Sequence, residues 1–300
     1  MRYLLTGGAG FVGSHLVDRL VAEGHDVDVV DDLSTGHLTN LAEARASGRV
    51  RFHHLDVRAP ELFELVSRLA PARVFHLVGC GHPTAAVEDP LYAADVGLLG
   101  LLGVLEAVRA LPVGTKVVVA LPLAAAGPAP EPERTDGPHG SVARAMREAV
   151  AVHSSVYGLR AAALALATVY GPRQRGGLVD ELVRAALEGR EAKLEGPEPA
   201  RDLVFVDDAV DVLVRAAESL SGRGELVTVG TGRVVSLDEL VEVVATATGR
   251  RVEVMTAPAR IADPQPSAVG PDEAGRSLGW SPFTTLAEGV GQTAAAHAAG

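Results

Sequence analysis

Closely spaced glycines near the amino terminus have the spacing of a phosphate-binding turn. Gly7, Gly10 and Gly13 lie between a predicted strand and a predicted helix that opens at Phe11 and Val12. Gly7 permits a tight turn, Gly10 lets the backbone approach a pyrophosphate, and Gly13 lets the helix pack close to the sheet. The start of the helix adds free N–H groups and the positive end of its dipole, so we expect a dinucleotide to bind here.

An acidic residue stands where a dinucleotide-binding turn needs its second contact. Asp31 follows the second predicted strand, 18 residues after Gly13, and the next residue is Asp32. A carboxylate at this place accepts hydrogen bonds from ribose hydroxyls and repels a 2′-phosphate, so it predicts NAD rather than NADP. The alternative is a glycine-rich turn in an α/β domain that binds no nucleotide.

Three other side chains have the chemistry of a base or a nucleophile. His139 is a candidate general base, because histidine titrates near neutral pH without help from a lysine; the alternative is a histidine at a loop or helix start that faces solvent. Cys80 and His82 follow the fourth predicted strand, where open α/β sheets bind ligands, and suggest a nucleophile with its base. The alternative for Cys80 is a small buried thiol.

No metal site is predicted from the sequence. Cys80 is the only cysteine, and no HxxxH or HExxH spacing occurs. His53 and His54 are adjacent, and in a strand they would point to opposite faces of the sheet.

Apolar and β-branched runs alternate with helical patterns along the first half of the chain. The predicted strands are Arg2–Leu5, Asp26–Val30, Val50–Leu55, Arg73–Val78, Lys116–Leu121 and Ala161–Val169. The predicted helices are Phe11–Glu23, Pro60–Leu69, Leu91–Ala110 and Ser141–Tyr157. Strands that alternate with helices predict an α/β fold with a doubly wound parallel sheet, of the Rossmann type.

The pattern becomes less regular after Gly171. Further predicted elements are the helices Leu178–Glu188, Asp207–Ser219 and Leu237–Thr248, the strands Glu225–Val229 and Arg251–Val254, and a proline-rich loop over Pro258–Pro271. We therefore predict a nucleotide-binding domain over residues 1–165 and a smaller, partly interleaved C-terminal substrate domain over residues 166–300.

Composition and charge exclude several classes of protein. The chain has 300 residues, is 47% hydrophobic and 22% charged, and carries a formal net charge of −11. This hydrophobic content excludes an intrinsically disordered chain, and the acidic balance argues against nucleic-acid binding. The longest apolar runs, near 116–127 and 161–170, are about ten residues long, whereas a membrane-spanning helix needs about 18. Because a strand pattern begins at once, no signal peptide is expected, and we expect a cytoplasmic protein that contacts no membrane.

Motifs over nearly the whole chain resemble those of one family. Besides the glycine turn they are Asp31–Gly36, His54–Val57, Val74–Leu77, Val87–Pro90, Val169–Gln174, Arg201–Asp202, Val206–Asp208, Gly230–Gly232 and Leu278–Trp280. In these the chain is similar to the extended short-chain dehydrogenase/reductases. The resemblance is to their NAD-dependent sugar-nucleotide epimerases and dehydratases, a group that includes UDP-glucose 4-epimerase. It implies that the ligands are NAD and a nucleotide-diphosphate sugar, and that a homodimer forms through helices 91–110 and 141–157.

The resemblance also assigns binding roles to individual residues. Those added to the cofactor site are Asp56, which would sit at the adenine, Val57, Leu77 and Val78. Those assigned to the substrate are Arg201, Arg260, Thr168, Cys80 and His82. The two arginines match positions that bind the substrate diphosphate, an interaction suited to the fork of the guanidinium group.

The catalytic positions of this family carry other residues here. The family uses the Tyr of a YxxxK motif as its base, the Lys to lower the Tyr pKa, and a Ser or Thr to bind the reacting hydroxyl. At these positions stand His139, Ala143 and Pro122, and no YxxxK occurs anywhere in the chain. Two asparagine positions of the family are changed as well, to Gly97 and Thr168.

Three interpretations stay open at this point. The chain is a binding protein that holds NAD and a nucleotide sugar with altered or absent catalysis. Alternatively, it is an active epimerase or dehydratase that uses other residues, such as His139. A third interpretation is a non-catalytic subunit that partners an active homologue.

Overall fold

The first half of the chain supplies six parallel strands and the helices that connect them. The computed structural model describes residues 1–79, 83–112, 114–127, 137–195, 200–257 and 268–299. The strands are β1 (Arg2–Thr6), β2 (Asp26–Asp31), β3 (Val50–His54), β4 (Arg73–His76), β5 (Lys116–Pro122) and β6 (Arg160–Leu166). The apolar residues of β1, β2, β4, β5 and β6 are buried, as expected for a parallel sheet that helices cover on both faces.

Helices pack against both faces of this sheet. They are α1 (Phe11–Ala22), α2 (Ala42–Ala46), α3 (Glu61–Leu69), α4 (Pro83–Glu88), α5 (Pro90–Ala94), α6 (Gly100–Arg109) and α7 (Gly137–Tyr157). One apolar core contains Leu16 and Leu20 of α1, and a second contains Leu101 of α6 and Met146 of α7. The fold class predicted from the sequence, a doubly wound parallel sheet, is confirmed.

The second half of the chain forms a smaller lobe and also completes the large sheet. Its strands are β7 (Thr168–Tyr170), β8 (Ala192–Glu195), β9 (Arg201–Phe205), β10 (Arg223–Val229), β11 (Val234–Val235) and β12 (Val254–Ala257). Its helices are α8 (Leu178–Glu188), α9 (Val206–Ser219), α10 (Leu237–Thr248), α11 (Asp272–Leu278) and α12 (Leu286–Ala299). The large sheet has the order β10-β6-β5-β4-β1-β2-β3, and small sheets β11-β9-β7 and β12-β8 lie in the second lobe. Strand β10 pairs in parallel with β6, so the two halves of the chain share one sheet.

Several predicted elements were wrong in their extent, among them the helix predicted over 141–157, which begins at Gly137. The single strand predicted over 161–169 is two strands, because the chain leaves the large sheet at Ala167 and β7 pairs with β9. The helix predicted over 91–110 begins at Pro90 and contains a π-helical turn, Asp95–Leu99, between α5 and α6. The last strand begins at Val254 rather than at position 251, because its partner is β8, which no local pattern reveals.

The helix Pro90–Arg109 is long and apolar enough to cross a membrane, by length and composition alone. It has 20 residues with a mean hydropathy of 1.7. Asp95 interrupts this stretch, so it is not one of the longest uninterrupted apolar runs, yet its mean hydropathy stays high. Leu101, Val104 and Leu105 are fully buried against the sheet. Core helices of other proteins also reach this length and composition, and 44% of this apolar stretch is buried.

Candidate functional site

The glycine turn between β1 and α1 has the geometry of a phosphate cradle. Gly7 has a φ of 77°, which favours glycine, and its N–H donates to the carbonyl of Val30 at 2.9 Å. A Cβ on Gly13 would lie 2.1 Å from the Gly7 carbonyl oxygen, and one on Gly10 would lie 3.3 Å from it. A side chain at Gly13 would therefore clash with the backbone of the turn and push α1 away from it. Since Gly10 provides no side-chain cap, the N–H groups that open α1 at Phe11 and Val12 stay free for an anion.

The Asp31 carboxylate is held rigidly at the carboxyl end of β2. One oxygen accepts the N–H of Ala9 at 2.9 Å, and the other accepts the N–H of Leu33 at 2.9 Å. A carboxylate has about four lone-pair sites, so two such bonds leave capacity for ribose hydroxyls. The next acid, Asp32, accepts the N–H and hydroxyl of Ser34 and therefore shapes the loop.

Asp56 forms a hydrogen-bonded ion pair with Arg58, a residue that sequence reasoning missed. The Arg58 guanidinium donates from Nε to the Asp56 carboxylate at 2.9 Å and from a terminal nitrogen to Asp95 at 2.5 Å. The hydrogen bonds from Arg58 lower the pKa of Asp56. Arg58 also lies over the ring of Tyr92, with 5.4 Å between its Cζ and the ring centroid. Arg58 therefore ties the loop after β3 to the helix that begins at Pro90.

Val57 contacts that same helix through a glycine. A Cβ on Gly100 would lie 2.8 Å from a methyl group of Val57, so a larger residue would push the helix away from the loop after β3. The sequence prediction assigned Val57 to the cofactor, and its side chain is buried in this packing.

Leu77 and Val78 line the glycine turn with their backbone. A Cβ on Gly7 would lie 3.1 Å from the carbonyl carbon of Leu77 and 3.2 Å from the nitrogen of Val78. The preceding residue, His76, is fully buried, with its Nδ1 2.8 Å from the hydroxyl of Thr6. Burial lowers the pKa of His76 to about 4, so the imidazole is neutral at pH 7.

Apolar or non-donating residues occupy two of the three positions that the sequence prediction matched to the family's catalytic residues. Pro122 ends β5 beside Leu166 of β6, and it has no N–H and no hydroxyl to offer. Ala143 is fully buried within α7. His139 lies half-buried in the first turn of α7, four residues before Ala143, so both lie on one face of the helix.

None of the four tyrosines belongs to a YxxxK motif. Burial raises the pKa of Tyr3 in β1 and the pKa of Tyr170 in β7, which opposes formation of a phenolate. Tyr92 and Tyr157 are exposed on the outer surface of the helices. The Tyr157 ring packs against Arg109, whose Cζ lies 5.0 Å from the ring centroid.

The two lysines of the chain are also placed elsewhere. Lys116 is buried at the start of β5, at the opposite end of this strand from Pro122, and its ammonium donates to the carbonyl of Leu220 at 2.5 Å. Lys193 is exposed on β8, in the second lobe. Neither position matches that of Ala143 on α7.

The substrate residues predicted from the sequence are only partly covered by the structure. Arg201 opens β9, and Thr168 opens the neighbouring strand β7, paired in register with Leu203. The small sheet of the second lobe therefore brings these two strands side by side. Cys80, His82 and Arg260 lie outside the described residues.

A second contact that sequence reasoning missed joins α1 to the loop after β7. The imidazole Nε2 of His15 donates to the carbonyl of Pro172 at 2.9 Å, and Arg173 forms an ion pair with Asp18 at 2.7 Å. Arg173 has a φ of 67°, an unusual backbone conformation for a residue other than glycine. The partners are more than 150 positions apart, so no local signal could have found them.

Within the described ranges, no three His, Cys, Asp or Glu side chains come together as metal ligands. His53 pairs with Asp28 at 2.8 Å, and the adjacent His54 contacts the carbonyl of Asp32 at 3.1 Å.

Comparison with known proteins identifies the family to which this site belongs. Residues 3–230 match the NAD-dependent epimerase/dehydratase family. The chain belongs to this family. It is 36% identical over 305 residues to UDP-glucose 4-epimerase of Mycolicibacterium smegmatis, with 98% of this chain and 97% of that protein covered.

Solved structures of this epimerase/dehydratase family agree with the fold. UDP-glucose 4-epimerase of Thermotoga maritima with UDP-glucose superposes with a TM-score of 0.90 and 30% identity, covering 100% of this chain and 99% of that one. UDP-glucose 4-epimerase of Thermus thermophilus in complex with NAD has a TM-score of 0.88 and 32% identity, with 99% and 98% covered. The resemblance inferred from the motifs is confirmed, and NAD is the cofactor of this epimerase/dehydratase-family protein. The cradle at Gly13 and the anchored carboxylate of Asp31 fit that cofactor.

Proposed function

We propose that this protein binds NAD together with a nucleotide-diphosphate sugar, and that the proton transfer used by its family is altered or absent. The observation that carries the proposal is the set of residues at the reaction centre. Pro122 has no hydroxyl, Ala143 has no charge, and His139 stands where the family has its tyrosine. NAD supplies a hydride acceptor when it is bound, but hydride transfer from an alcohol also needs a group that takes the hydroxyl proton.

The loss of that group has a large kinetic cost. General base catalysis is commonly worth about 10²–10⁴-fold in rate. Among the residues that the structure describes, no tyrosine or lysine replaces the Tyr and Lys of the family's YxxxK motif. The four tyrosines and the two lysines lie away from His139 and Ala143 in the sequence and on other elements or faces.

A UDP-sugar is the ligand that the comparisons favour. The Thermotoga maritima relative was solved with UDP-glucose, and the family resemblance assigns the diphosphate to Arg201 and Arg260. A guanidinium donates two parallel hydrogen bonds to phosphate oxygens, so each arginine contributes about 1.5–3 kcal/mol to such binding.

Titration and turnover experiments separate binding from catalysis. The NAD-loaded protein is titrated calorimetrically with UDP- and dTDP-hexoses, and the same mixtures are followed by nicotinamide absorbance and by NMR of the sugars. We expect binding of a nucleotide sugar with no reduction of NAD and no epimer. Efficient turnover by the wild type would contradict the proposal.

Variants decide what such turnover would mean. If His139→Ala abolished it while His25→Ala left it unchanged, His139 would be the base and the protein an active enzyme. The combined Pro122→Ser, His139→Tyr and Ala143→Lys change is expected to restore little activity, because Gly97 and Thr168 also differ from the family.

We also propose that the protein forms a homodimer through the helix Pro90–Arg109 and α7. Of the twelve large apolar side chains that are exposed among the described residues, six lie on these two helices: Leu91, Tyr92, Leu99, Val152, Val156 and Tyr157. These two helices are neighbours in the structure, and exposed apolar side chains concentrated on neighbouring helices are typical of a protein–protein contact. The alternative is assembly with an active homologue instead of a second copy. Measuring the mass of the protein purified alone distinguishes the two, because only the homodimer would then have twice the mass of the chain.

A further inference from the structure

Asp202, next to Arg201 on β9, is a buried carboxylate that neutral groups satisfy. It is 5% exposed, and no Lys, Arg or His in the described ranges forms an ion pair with it. Four neutral donors surround it instead. One oxygen accepts the N–H and the hydroxyl of Thr231 at 2.9 and 2.7 Å, and the other accepts the N–H groups of Gly232 and Val269, both at 3.1 Å.

The turn after β10 is shaped to this carboxylate. A Cβ on Gly230 would lie 2.7 Å from an Asp202 oxygen and 2.5 Å from the Val269 carbonyl, so only glycine allows the approach. Gly232 has a φ of 80°, and its N–H also donates to the Val269 carbonyl at 2.9 Å. A single side chain thus joins β9, the turn 230–232 and the segment that contains Val269.

The start of β9 lies beyond the pairing with β7. Strand β7 pairs with β9 from Leu203 to Phe205, so this pairing begins after Arg201 and Asp202. On the other side, β11 pairs with these two residues alone. Successive side chains of a strand point to opposite faces, so anchoring Asp202 on one face fixes the backbone that presents Arg201 on the other.

We propose that Asp202 is a positioning residue for the nucleotide-sugar diphosphate: it sets the direction of Arg201 by joining β9 to the turn 230–232 and to Val269. This inference rests on the proposed function, in which Arg201 binds the diphosphate. Burying a carboxylate that has no cationic partner costs free energy. Here the four hydrogen bonds offset this cost, because a group that only accepts can bind all four donors at once. An asparagine would present its own N–H groups to one pair of them.

The test uses Asp202→Asn with Asp208→Asn as the matched control. Asp208 is also a buried carboxylate held by backbone N–H groups, those of Phe283 at 2.9 Å and Thr284 at 3.2 Å, but it joins α9 to the C-terminal segment. Affinities for UDP-glucose, with NAD at saturation, and for NAD alone are measured by calorimetry, and unfolding midpoints are measured for each variant. Thr231→Val, which removes one of the four donors, serves as a milder variant if Asp202→Asn fails to fold.

We expect Asp202→Asn to weaken UDP-glucose binding by about tenfold and Thr231→Val by about threefold, with NAD affinity within about twofold of the wild type. Asp208→Asn should lower the unfolding midpoint without changing UDP-glucose affinity. Equal UDP-glucose affinity in the wild type, Asp202→Asn and Thr231→Val would overturn this inference alone, as would an equal loss of affinity in Asp208→Asn. A wild type that binds no UDP- or dTDP-hexose would overturn the proposed function and this inference with it.

Discussion

At the scale of single residues, the carboxylate expected at the cofactor is held in place, and the positions matched to the family's catalytic residues carry other side chains. Asp31 is fixed by two backbone N–H groups before any ligand arrives, which lowers the entropy lost on binding. Ala143 and Pro122, by contrast, have no group that titrates. The chain therefore has the residues expected to recognise NAD, and it has no YxxxK motif.

Asp31 makes cofactor selection testable. We expect NAD to bind more tightly than NADP, because the Asp31 carboxylate repels a 2′-phosphate and Asp32 offers no positive charge beside it. In Asp31→Asn the affinities for NAD and NADP should come to within about tenfold of each other. The variant loses the repulsion of the 2′-phosphate, while its amide oxygen still accepts a hydrogen bond from the ribose. Calorimetric titration of both proteins with both dinucleotides measures this, and NADP binding as tight as NAD binding to the wild type would contradict it.

His76 predicts a loss of stability in mild acid. Its pKa is about 4 in the folded protein and 6.5 in the reference state, so the unfolded chain takes up the proton first as the pH falls. The stabilisation is fully present above pH 6.5 and is lost progressively down to about pH 4; between pH 7.5 and 5 this group lowers the free energy of unfolding by about 2 kcal/mol. Urea unfolding of the wild type and of His76→Asn at both pH values gives the difference. Parallel pH profiles of the two proteins would show that His76 is not the cause.

At the scale of elements, basic residues at the start of strands meet the ends of helices. Arg73 of β4 and Lys116 of β5 are neighbours in register, and each donates to a carbonyl at or just after the end of α9. In alternating strands and helices, the helix C-termini and the amino ends of the strands lie at the same edge of the sheet. Cations there offset the negative end of the helix dipole. Lys116 is buried at this edge, at the opposite end of β5 from Pro122, and its ammonium donates a hydrogen bond to the carbonyl of Leu220. Burial, Arg73 and Arg160 lower its pKa.

The outer face of α7 gives a prediction about assembly. Val156 is 66% exposed and lies one turn after Val152, on the surface proposed as the dimer interface. Val156→Glu would bring two carboxylates together across a twofold axis, so we expect the dimer to dissociate to monomers. Light scattering after size-exclusion chromatography measures the mass. Phe283→Glu, at an apolar side chain that is 60% exposed elsewhere, should leave the mass unchanged; a monomeric wild type would contradict the proposal.

At the scale of the whole molecule, the two lobes are not independent in sequence. Strand β10 completes the large sheet beside β6, and α9 buries Val212 and Leu213 in the core that also contains Leu16 and Leu20 of α1. The division near residue 165 into a cofactor domain and a substrate domain stays a prediction. The elements that stabilise the first lobe extend further along the chain, to residue 229.

A fragment tests this dependence. A protein truncated to residues 1–165 would expose the edge of β6 and the apolar surface that α9 covers. We expect it to show no cooperative urea transition and to bind NAD at least about tenfold more weakly than the full chain. Circular dichroism during unfolding and calorimetry with NAD are the measurements. A sharp transition with unchanged NAD affinity would show that the first lobe is self-sufficient.

The predictions from sequence succeeded where the cause is local. The turn from Gly7 to Gly13 depends on glycines that all lie within seven consecutive residues. The apolar periodicity of α8 and α10 is likewise contained within each helix, and both helices begin and end where the sequence predicted. The absence of a YxxxK motif is likewise a property of the residue order alone.

What the tertiary structure decided depends on partners far apart in the chain. The division of 161–169 into β6 and β7 follows from pairing with β10 and β9, and the Arg58 contact with Asp95 joins segments 37 positions apart. The burial of Lys116 against Leu220 has the same origin. Local patterns indicate which backbone conformation a segment prefers. These contacts form only after the sheet has brought distant segments together. Residue types alone therefore indicate the cofactor but not the surroundings of its reaction centre.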